Sequence, residues 1–150
     1  MSLVVRKLHG TRLFTAEILY INPEAELVTG RHAEFYADAR FAGKLFRVTY
    51  YPCAIPSDNQ DDKVFGEVYR LKNPEFILAK LDDYEECSEK YPNPKEYIRE
   101  IGVVHTDSGE RIDAWIYLYN RPVIDFLEIV SGIFLKIMCR WVCYAPPELC

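Results

Sequence analysis

The clearest structural signal in the chain is Val-Phe-Gly-Glu-Val-Tyr-Arg at residues 64–70, followed by Leu-Asp-Asp-Tyr-Glu-Glu at residues 81–86. The first stretch is rich in β-branched and aromatic residues, which is typical of a β-strand. The Asn-Pro dipeptide at residues 73–74 then favours a helix start, because proline suits the first helical position. We therefore predict a strand over Val64–Leu71 and a helix over Pro74–Glu86.

The end of this predicted helix concentrates acidic side chains, since four of its last five residues carry carboxylates: Asp82, Asp83, Glu85 and Glu86. Exposed acids at a helix C-terminus oppose the helix dipole, which costs roughly 0.3–1 kcal/mol each. Ile77, Leu78 and Leu81 form an apolar stripe, and Glu85 continues it one turn beyond Leu81, whereas the other three acids point further round the helix. We therefore predict that Glu85 is the acid turned toward the interior, where desolvation favours a carboxyl group suited to proton transfer.

A series of short motifs surrounds this helix in a definite order. They are Gly-Lys-Leu-Phe at 43–46, Tyr-Pro-Cys-Ala at 51–54, Gly-Glu-Val-Tyr at 66–69, Leu-Asp-Asp-Tyr-Glu at 81–85, Tyr-Ile-Arg at 97–99, a strand that leads to a proline at 114–122, and Ile-Val-Ser-Gly at 129–132. Their order and spacing resemble the gamma-glutamylcyclotransferase-like (AIG2-like) family. The resemblance implies an α+β fold, a small mixed β-barrel with flanking helices.

The same resemblance implies a set of site residues and an activity. The family's Leu-Asp-x-x-Glu motif ends in its catalytic glutamate, which here is Glu85, and its pocket tyrosines correspond to Tyr97 and Tyr117. The implied reaction releases 5-oxoproline from a small gamma-glutamyl amine or amino acid. One glutamate takes a proton from the substrate's α-amine and returns it to the leaving amine, so that no metal or organic cofactor is needed.

The family's opening loop, Tyr-Gly-Ser/Thr-Leu, holds the substrate with backbone amides and is altered in this chain. The register that we prefer places it at Ala16, Glu17, Ile18 and Leu19, which keeps the hydrophobic flanks and lacks the glycine. A rival register uses His-Gly-Thr at residues 9–11. Glutamate lacks glycine's conformational freedom, and its charge repels a substrate carboxylate unless the side chain turns away.

This altered loop leaves more than one function open. The leading interpretation is a gamma-glutamylcyclotransferase-like acyltransferase. The alternative is a degenerate family member that binds a small ligand or a protein partner without catalysis. A third interpretation, an enzyme that transfers the acyl group of another gamma-glutamyl conjugate, uses the same residues.

Length and composition agree with one domain over residues 1–150. A net charge of −5 provides no basic surface for nucleic acid. No secretory signal is evident at the N-terminus, which predicts a cytoplasmic protein with reduced thiols. The most apolar stretch, Phe126–Val142, is interrupted by charged residues, so we predict no membrane span. The sequence leaves the oligomeric state open.

The remaining candidate sites have weaker patterns. Cys139 and Cys143 fall at helical spacing but lack the further ligands of a zinc site. Cys53 has no obvious base that would make it a nucleophile. The polar loop at residues 56–62 lacks the glycine and terminal glutamate of a calcium loop. We therefore predict no metal site.

The rest of the chain predicts further strands and a short helical piece. Expected strands are Leu13–Tyr20, Phe41–Val48, Ile98–His105 and Ile112–Tyr119, and Glu24–Val28 is expected to be helical or a turn. A turn over residues 106–110 should join the last two strands as a hairpin.

Overall fold

A computed structural model describes residues 12–15, 32–48 and 51–134 of the chain. In chain order, its elements are β1 (Arg12–Thr15), β2 (Ala33–Arg47), β3 (Pro52–Pro56), β4 (Lys63–Leu71), α1 (Pro74–Tyr84), β5 (Tyr97–Thr106), β6 (Arg111–Tyr119) and β7 (Leu127–Glu128). The predictions for residues 16–31 and 135–142 lie outside the described residues.

The strands form one mixed sheet. Its path is β3–β2–β4–β1–β6–β5, and β7 pairs with β2 off this path. Most pairs are antiparallel, whereas β1 and β6 run parallel. The path does not close end to end, because β5 pairs back onto β2, at Ala39–Phe41, rather than onto the edge strand β3. The predicted α+β class with a mixed sheet is confirmed, and α1 is the helix that flanks it in the described part of the chain.

The strand predictions from residue 63 onward are close to the observed bounds, whereas β2 begins eight residues before the predicted Phe41. Residues 33–38 of β2 are exposed or half-buried, so they lack the run of buried apolar residues that marks the later part of the strand. Pairing with β4, from Ala33 opposite Leu71 onward, makes this segment a strand. Tertiary pairing therefore extends a strand that local sequence does not mark.

The core lies on one face of the strands, where apolar residues alternate with outward-facing ones. In β6, Ile112, Ala114, Ile116 and Leu118 are all buried, and they pack with the core residues of β2, β4 and β5. The opposite face of β6 carries Trp115 together with Tyr117 and Tyr119. This second face receives the helix.

Helix α1 packs its apolar stripe onto that second face. Ile77, Leu78 and Leu81 are buried against Leu71 of β4, with Trp115 and Tyr117 of β6 beside them. Burial of side chains of this size stabilises the fold by about 1.5–3 kcal/mol each. The hydrophobic stripe therefore docks the helix and brings its acidic end to the sheet.

The helix ends two residues before the predicted Glu86, and a Schellman motif ends it. The amide of Cys87 donates to the carbonyl of Asp82 (2.9 Å), and the amide of Glu86 donates to that of Asp83 (3.3 Å). These bonds place Glu86 in the left-handed region, with φ of +54°. Glycine normally occupies this position, because a Cβ disfavours the conformation.

We expect Glu86→Gly to raise the free energy of unfolding by about 0.5–1 kcal/mol. The change removes the left-handed strain and one acidic charge at the helix C-terminus, and Glu86 is exposed, so little packing is lost. Urea denaturation measures the effect. Glu89→Gly is the matched control, since it removes an exposed charge without relieving strain, and it should not stabilise. Equal effects of the two variants would contradict the prediction.

Candidate active site

The strand pairings bring Tyr97 and Tyr117, two of the predicted site residues, to one end of the sheet. Leu13 of β1 lies opposite Trp115 of the parallel strand β6, so Thr15, where β1 ends, comes level with Tyr117. In the antiparallel β5–β6 pair, Arg99 lies opposite Tyr117, and Tyr97 opposite Tyr119. The C-terminal end of α1 lies over this region, because Tyr117 packs against the helix stripe.

Glu85 occupies the residue at which the helix ends. Its backbone amide donates to the carbonyl of Leu81 (2.8 Å), and its side chain is half-buried. Burial raises the pKa of Tyr97 well above its usual range, and the Glu85 carboxylate is the next largest cause. The negative charge of Glu85 therefore disfavours the phenolate form of Tyr97.

Tyr97 joins this carboxylate to the segment at residues 51–54. Its hydroxyl donates a hydrogen bond to the carbonyl of Pro52 (3.3 Å), and its ring packs edge to face on Tyr119 with centroids 5.4 Å apart. The same apolar cluster contains buried Cys53. With its raised pKa, the phenol stays protonated and acts as a hydrogen-bond donor. Three segments that are distant in sequence therefore meet here.

Tyr117 has a different partner from the one that its predicted pocket role suggests. Its hydroxyl donates to Oδ1 of Asp82 (2.8 Å). Burial, then this hydrogen bond, raise the pKa of Tyr117 well above its ordinary value. This hydrogen bond links β6 to Asp82, one turn before Glu85, rather than to Glu85 itself.

The sequence predicts that Asp82 points further round the helix than Glu85, but its carboxylate faces the sheet. It accepts hydrogen bonds from Nε (2.7 Å) and Nη2 (3.0 Å) of Arg99, in addition to that from Tyr117. Its side chain is 20% exposed. The physical reason is spacing: Asp82 follows buried Leu78 by four residues and shares its helix face. The four-residue spacing from Leu78, together with the Tyr-x-Arg motif, is the sequence signal that could have identified Asp82 as a partner of the sheet.

A second carboxylate holds the segment at residues 51–54 in place. Glu96 accepts a hydrogen bond from the Tyr51 hydroxyl through Oε1 (3.0 Å) and from Nη1 of Arg121 through Oε2 (3.1 Å). Its charge also contributes to the raised pKa of Tyr97 and of Cys53. The sequence did not single out Glu96, because no motif contains it.

The described cysteines are unsuited to nucleophilic chemistry. Burial, with a contribution from Glu96, raises the pKa of the Cys53 thiol to about 12. Burial, with Asp82 as the main charge, raises that of Cys87 to about 12. Both thiols therefore stay protonated near neutral pH, and the thiol is the unreactive form.

The described residues contain neither a cluster of metal ligands nor a membrane-spanning helix. Across residues 12–15, 32–48 and 51–134, no group of three or more His, Cys, Asp or Glu side chains could hold a metal ion. Within the same ranges, no helix is long and apolar enough to cross a membrane. Cys139 and Cys143 lie outside them.

The predicted substrate loop, Ala16, Glu17, Ile18 and Leu19, lies outside the described residues, as does the rival loop at residues 9–11. The described strand β1 separates the two, since it spans Arg12–Thr15. The chain therefore enters residues 16–19 from the end of β1 that is level with Tyr117.

Comparison with known proteins gives a consistent result along most of the chain. Residues 20–134 match the family described as "Gamma-glutamyl cyclotransferase, AIG2-like". The gamma-glutamylcyclotransferase family protein YtfP of Escherichia coli (strain K12) is 35% identical over 92 residues, which are 61% of this chain and 67% of YtfP.

Solved structures support the same assignment. The solution structure of YtfP from Escherichia coli matches with a TM-score of 0.59 and 29% identity, over 85% of this chain and 99% of that one. YkqA from Bacillus subtilis has the same fold, with a TM-score of 0.66 and 23% identity over 91% of this chain, which spans only 44% of YkqA. Because the family match includes more than half of its residues, the chain belongs to the gamma-glutamyl cyclotransferase, AIG2-like family.

Proposed function

We propose that this protein is a cyclotransferase that releases 5-oxoproline from a gamma-glutamyl amine or amino acid, with Glu85 as general acid and base. The observation that carries the proposal is that half-buried Glu85 ends helix α1, whose Asp82 is hydrogen-bonded to Arg99, two residues from Tyr97 on β5. Membership of the family supports the reaction class.

One carboxylate is sufficient for the proton transfers of this reaction. Glu85 takes a proton from the substrate's α-amino group, whose nitrogen then attacks the γ-carbonyl carbon of the same molecule. As the new C–N bond closes the five-membered ring, the bond to the leaving amine breaks, and Glu85 returns the proton to that amine. The nucleophile is intramolecular, so a site that holds the substrate folded supplies much of the acceleration.

The tyrosines fit supporting roles in this scheme. Tyr97 already donates its single O–H to the carbonyl of Pro52, so it supplies an aromatic wall of the site rather than a donor to the substrate. Tyr117 already donates to Asp82, which gives it a role at the helix end. The end of β1 at Thr15 favours residues 16–19 as the loop whose amides hold the substrate's carboxylate or the developing oxyanion.

The second candidate function is binding without catalysis. Glu17 favours it, because an acidic side chain stands where the family presents glycine. The charge weakens both the binding of a substrate carboxylate and the stabilisation of the transition state. An acyl transfer from another gamma-glutamyl conjugate would use the same acid and base.

A substrate panel separates these functions. Purified protein is offered gamma-glutamyl amino acids and amines, including gamma-glutamyl-ε-lysine, and 5-oxoproline is measured. We expect turnover that is weak or restricted to one class of conjugate. Glu17→Gly should raise it several-fold, because the change removes the repulsion and restores close approach of the backbone.

Two outcomes would overturn parts of this proposal. If Glu17→Gly has no effect and Gly10→Ala abolishes turnover, residues 9–11 form the substrate loop. If no compound yields 5-oxoproline with any variant, the protein is a binder and not a cyclotransferase. A transfer product without 5-oxoproline would identify the acyl-transfer alternative.

A further inference from the structure

Glu85 stands on a turn that is held at both ends by hydrogen bonds; we name residues 82–88 the Glu85 turn. The carbonyl of Asp82 accepts bonds from the amides of Cys87 (2.9 Å) and Ser88 (3.1 Å). From outside the turn, Nζ of Lys95 donates to the carbonyls of Cys87 (2.9 Å) and Ser88 (2.8 Å). The backbone that carries Glu85 is therefore fixed by groups on its own turn and on the segment before β5.

The side chain of Asp82 anchors this turn to the sheet. Arg99 binds it in a bidentate manner, and Tyr117 adds a third hydrogen bond. The Arg99 guanidinium also stacks over the ring of Trp115, 4.5 Å from its centroid. Charge-assisted bidentate bonds fix geometry as well as contribute energy, and stacking restricts the arginine further.

We propose that Asp82, Arg99 and Tyr117 are positioning residues that hold the turn carrying Glu85 over the part of β5 that carries Tyr97. Arg99 and Tyr97 are two residues apart on β5, so they share one face at a spacing of roughly 7 Å. On the helix, Asp82 and Glu85 are three residues apart at the end of α1, and they correspond to Arg99 and Tyr97 in that order. Strand β5 therefore carries both Arg99, which anchors the turn, and Tyr97, the proposed neighbour of the reacting carboxylate. The kinetic part of this inference rests on the proposed function.

Docking of the helix does not require these polar contacts. The apolar stripe of α1 is fully packed on the sheet, with Ile77, Leu78 and Leu81 all at 5% exposure or less. A half-buried ion pair contributes little net stability once desolvation is included. The Asp82–Arg99 pair instead gives the Glu85 turn a defined position.

Kinetics of Asp82→Asn and Arg99→Gln test the proposal against Asp113→Asn. Each test variant should lower kcat by ten- to a hundredfold with KM within about twofold, because misplacement of a reacting group by about 1 Å costs up to about a hundredfold. Asp113 is the matched control, since it lies outside the Glu85 turn and its pair with Arg111 (3.3 Å) is on the surface. Asp113→Asn should leave both constants unchanged. Wild-type kcat in both test variants would overturn the proposal.

The acid limb of the kcat/KM profile gives a signature that a simple loss of structure would not produce. Tyr97 on β5 and Cys87 on the turn, whose raised pKa values include a contribution from the Glu85 charge, stay neutral. Asp82→Asn leaves the Arg99 cation unpaired and should move the acid limb to lower pH by a few tenths of a unit. Arg99→Gln leaves the Asp82 carboxylate unpaired and should move it to higher pH. Shifts of the same sign, or none, would overturn the proposal.

Hydrogen exchange tests the positioning without any substrate, so it remains decisive if the proposed activity is absent. The amide of Glu85 donates to the carbonyl of Leu81, and the amide of Cys87 donates to the carbonyl of Asp82 in the Glu85 turn. Asp82→Asn should speed their exchange about tenfold while the amides of β4 stay unchanged, and Asp113→Asn should alter neither. Full protection of both amides in Asp82→Asn would overturn the inference, whereas failure of the wild type on every gamma-glutamyl compound would contradict only the proposed function.

Discussion

Glu85→Gln is expected to lower kcat by about 10²–10⁴-fold, the usual contribution of a general acid or base. Glutamine keeps the shape and the half-buried position of the side chain but does not exchange protons. Substrate binding should therefore change little, and Tm should stay close to that of the wild type. Steady-state production of 5-oxoproline, with KM and a thermal melt, checks all three expectations.

Glu86→Gln is the control for this experiment, because it makes the same chemical change one residue along on an exposed side chain. It should retain wild-type turnover. Wild-type turnover from Glu85→Gln would remove Glu85 from the mechanism, and an equal loss in both variants would mean that the overall negative charge of the helix end, not one proton carrier, supports the reaction.

Gly132→Ala is expected to destabilise the fold by more than about 3 kcal/mol and to lower Tm by roughly 10 °C. Gly132 has φ of +64°, and a Cβ at this position would lie 1.8 Å from the carbonyl oxygen of Lys63 in β4. Its own carbonyl accepts a hydrogen bond from the amide of Phe65 (2.9 Å). A side chain here must therefore push the closing Ile-x-Ser-Gly segment away from the strand.

Gly109→Ala separates backbone strain from this steric contact. Gly109 has φ of +89°, and no atom lies within 4 Å of a Cβ built there. Its substitution should cost only about 1–2 kcal/mol, the penalty of the positive φ. Urea denaturation of both variants gives the comparison. Similar losses in the two would show that Gly132 is needed for its conformation alone.

Most of the described secondary structure follows from local patterns. Alternating burial marks β4, β5 and β6, and Asn73-Pro74 marks the start of α1, so the bounds of these strands and the start of the helix differ from the predicted ones by one residue or none, whereas the helix ends two residues early. The first part of β2 could not be found in this way. Its residues become a strand through pairing with β4, and pairing between distant segments leaves no periodic trace in an outward-facing stretch.

The candidate site shows the same contrast between local sequence patterns and contacts between distant segments. Glu85 is identified by its place in a motif, and Tyr97 by the Tyr-x-Arg that follows, since both are local features of the sequence. The partner of Asp82 is not local: Arg99 is 17 residues away and reaches it only because α1 packs across β6 beside β5. An acidic helix end offers carboxylates on several faces, and helical spacing alone does not show which of them meets a cation. The sequence pattern by itself thus determined most of the secondary-structure elements and the candidate acid, Glu85. Packing of the helix on the sheet decided that the neighbouring Asp82 anchors the helix end. The reason is that electrostatic pairing depends on distance in space and not on separation in sequence.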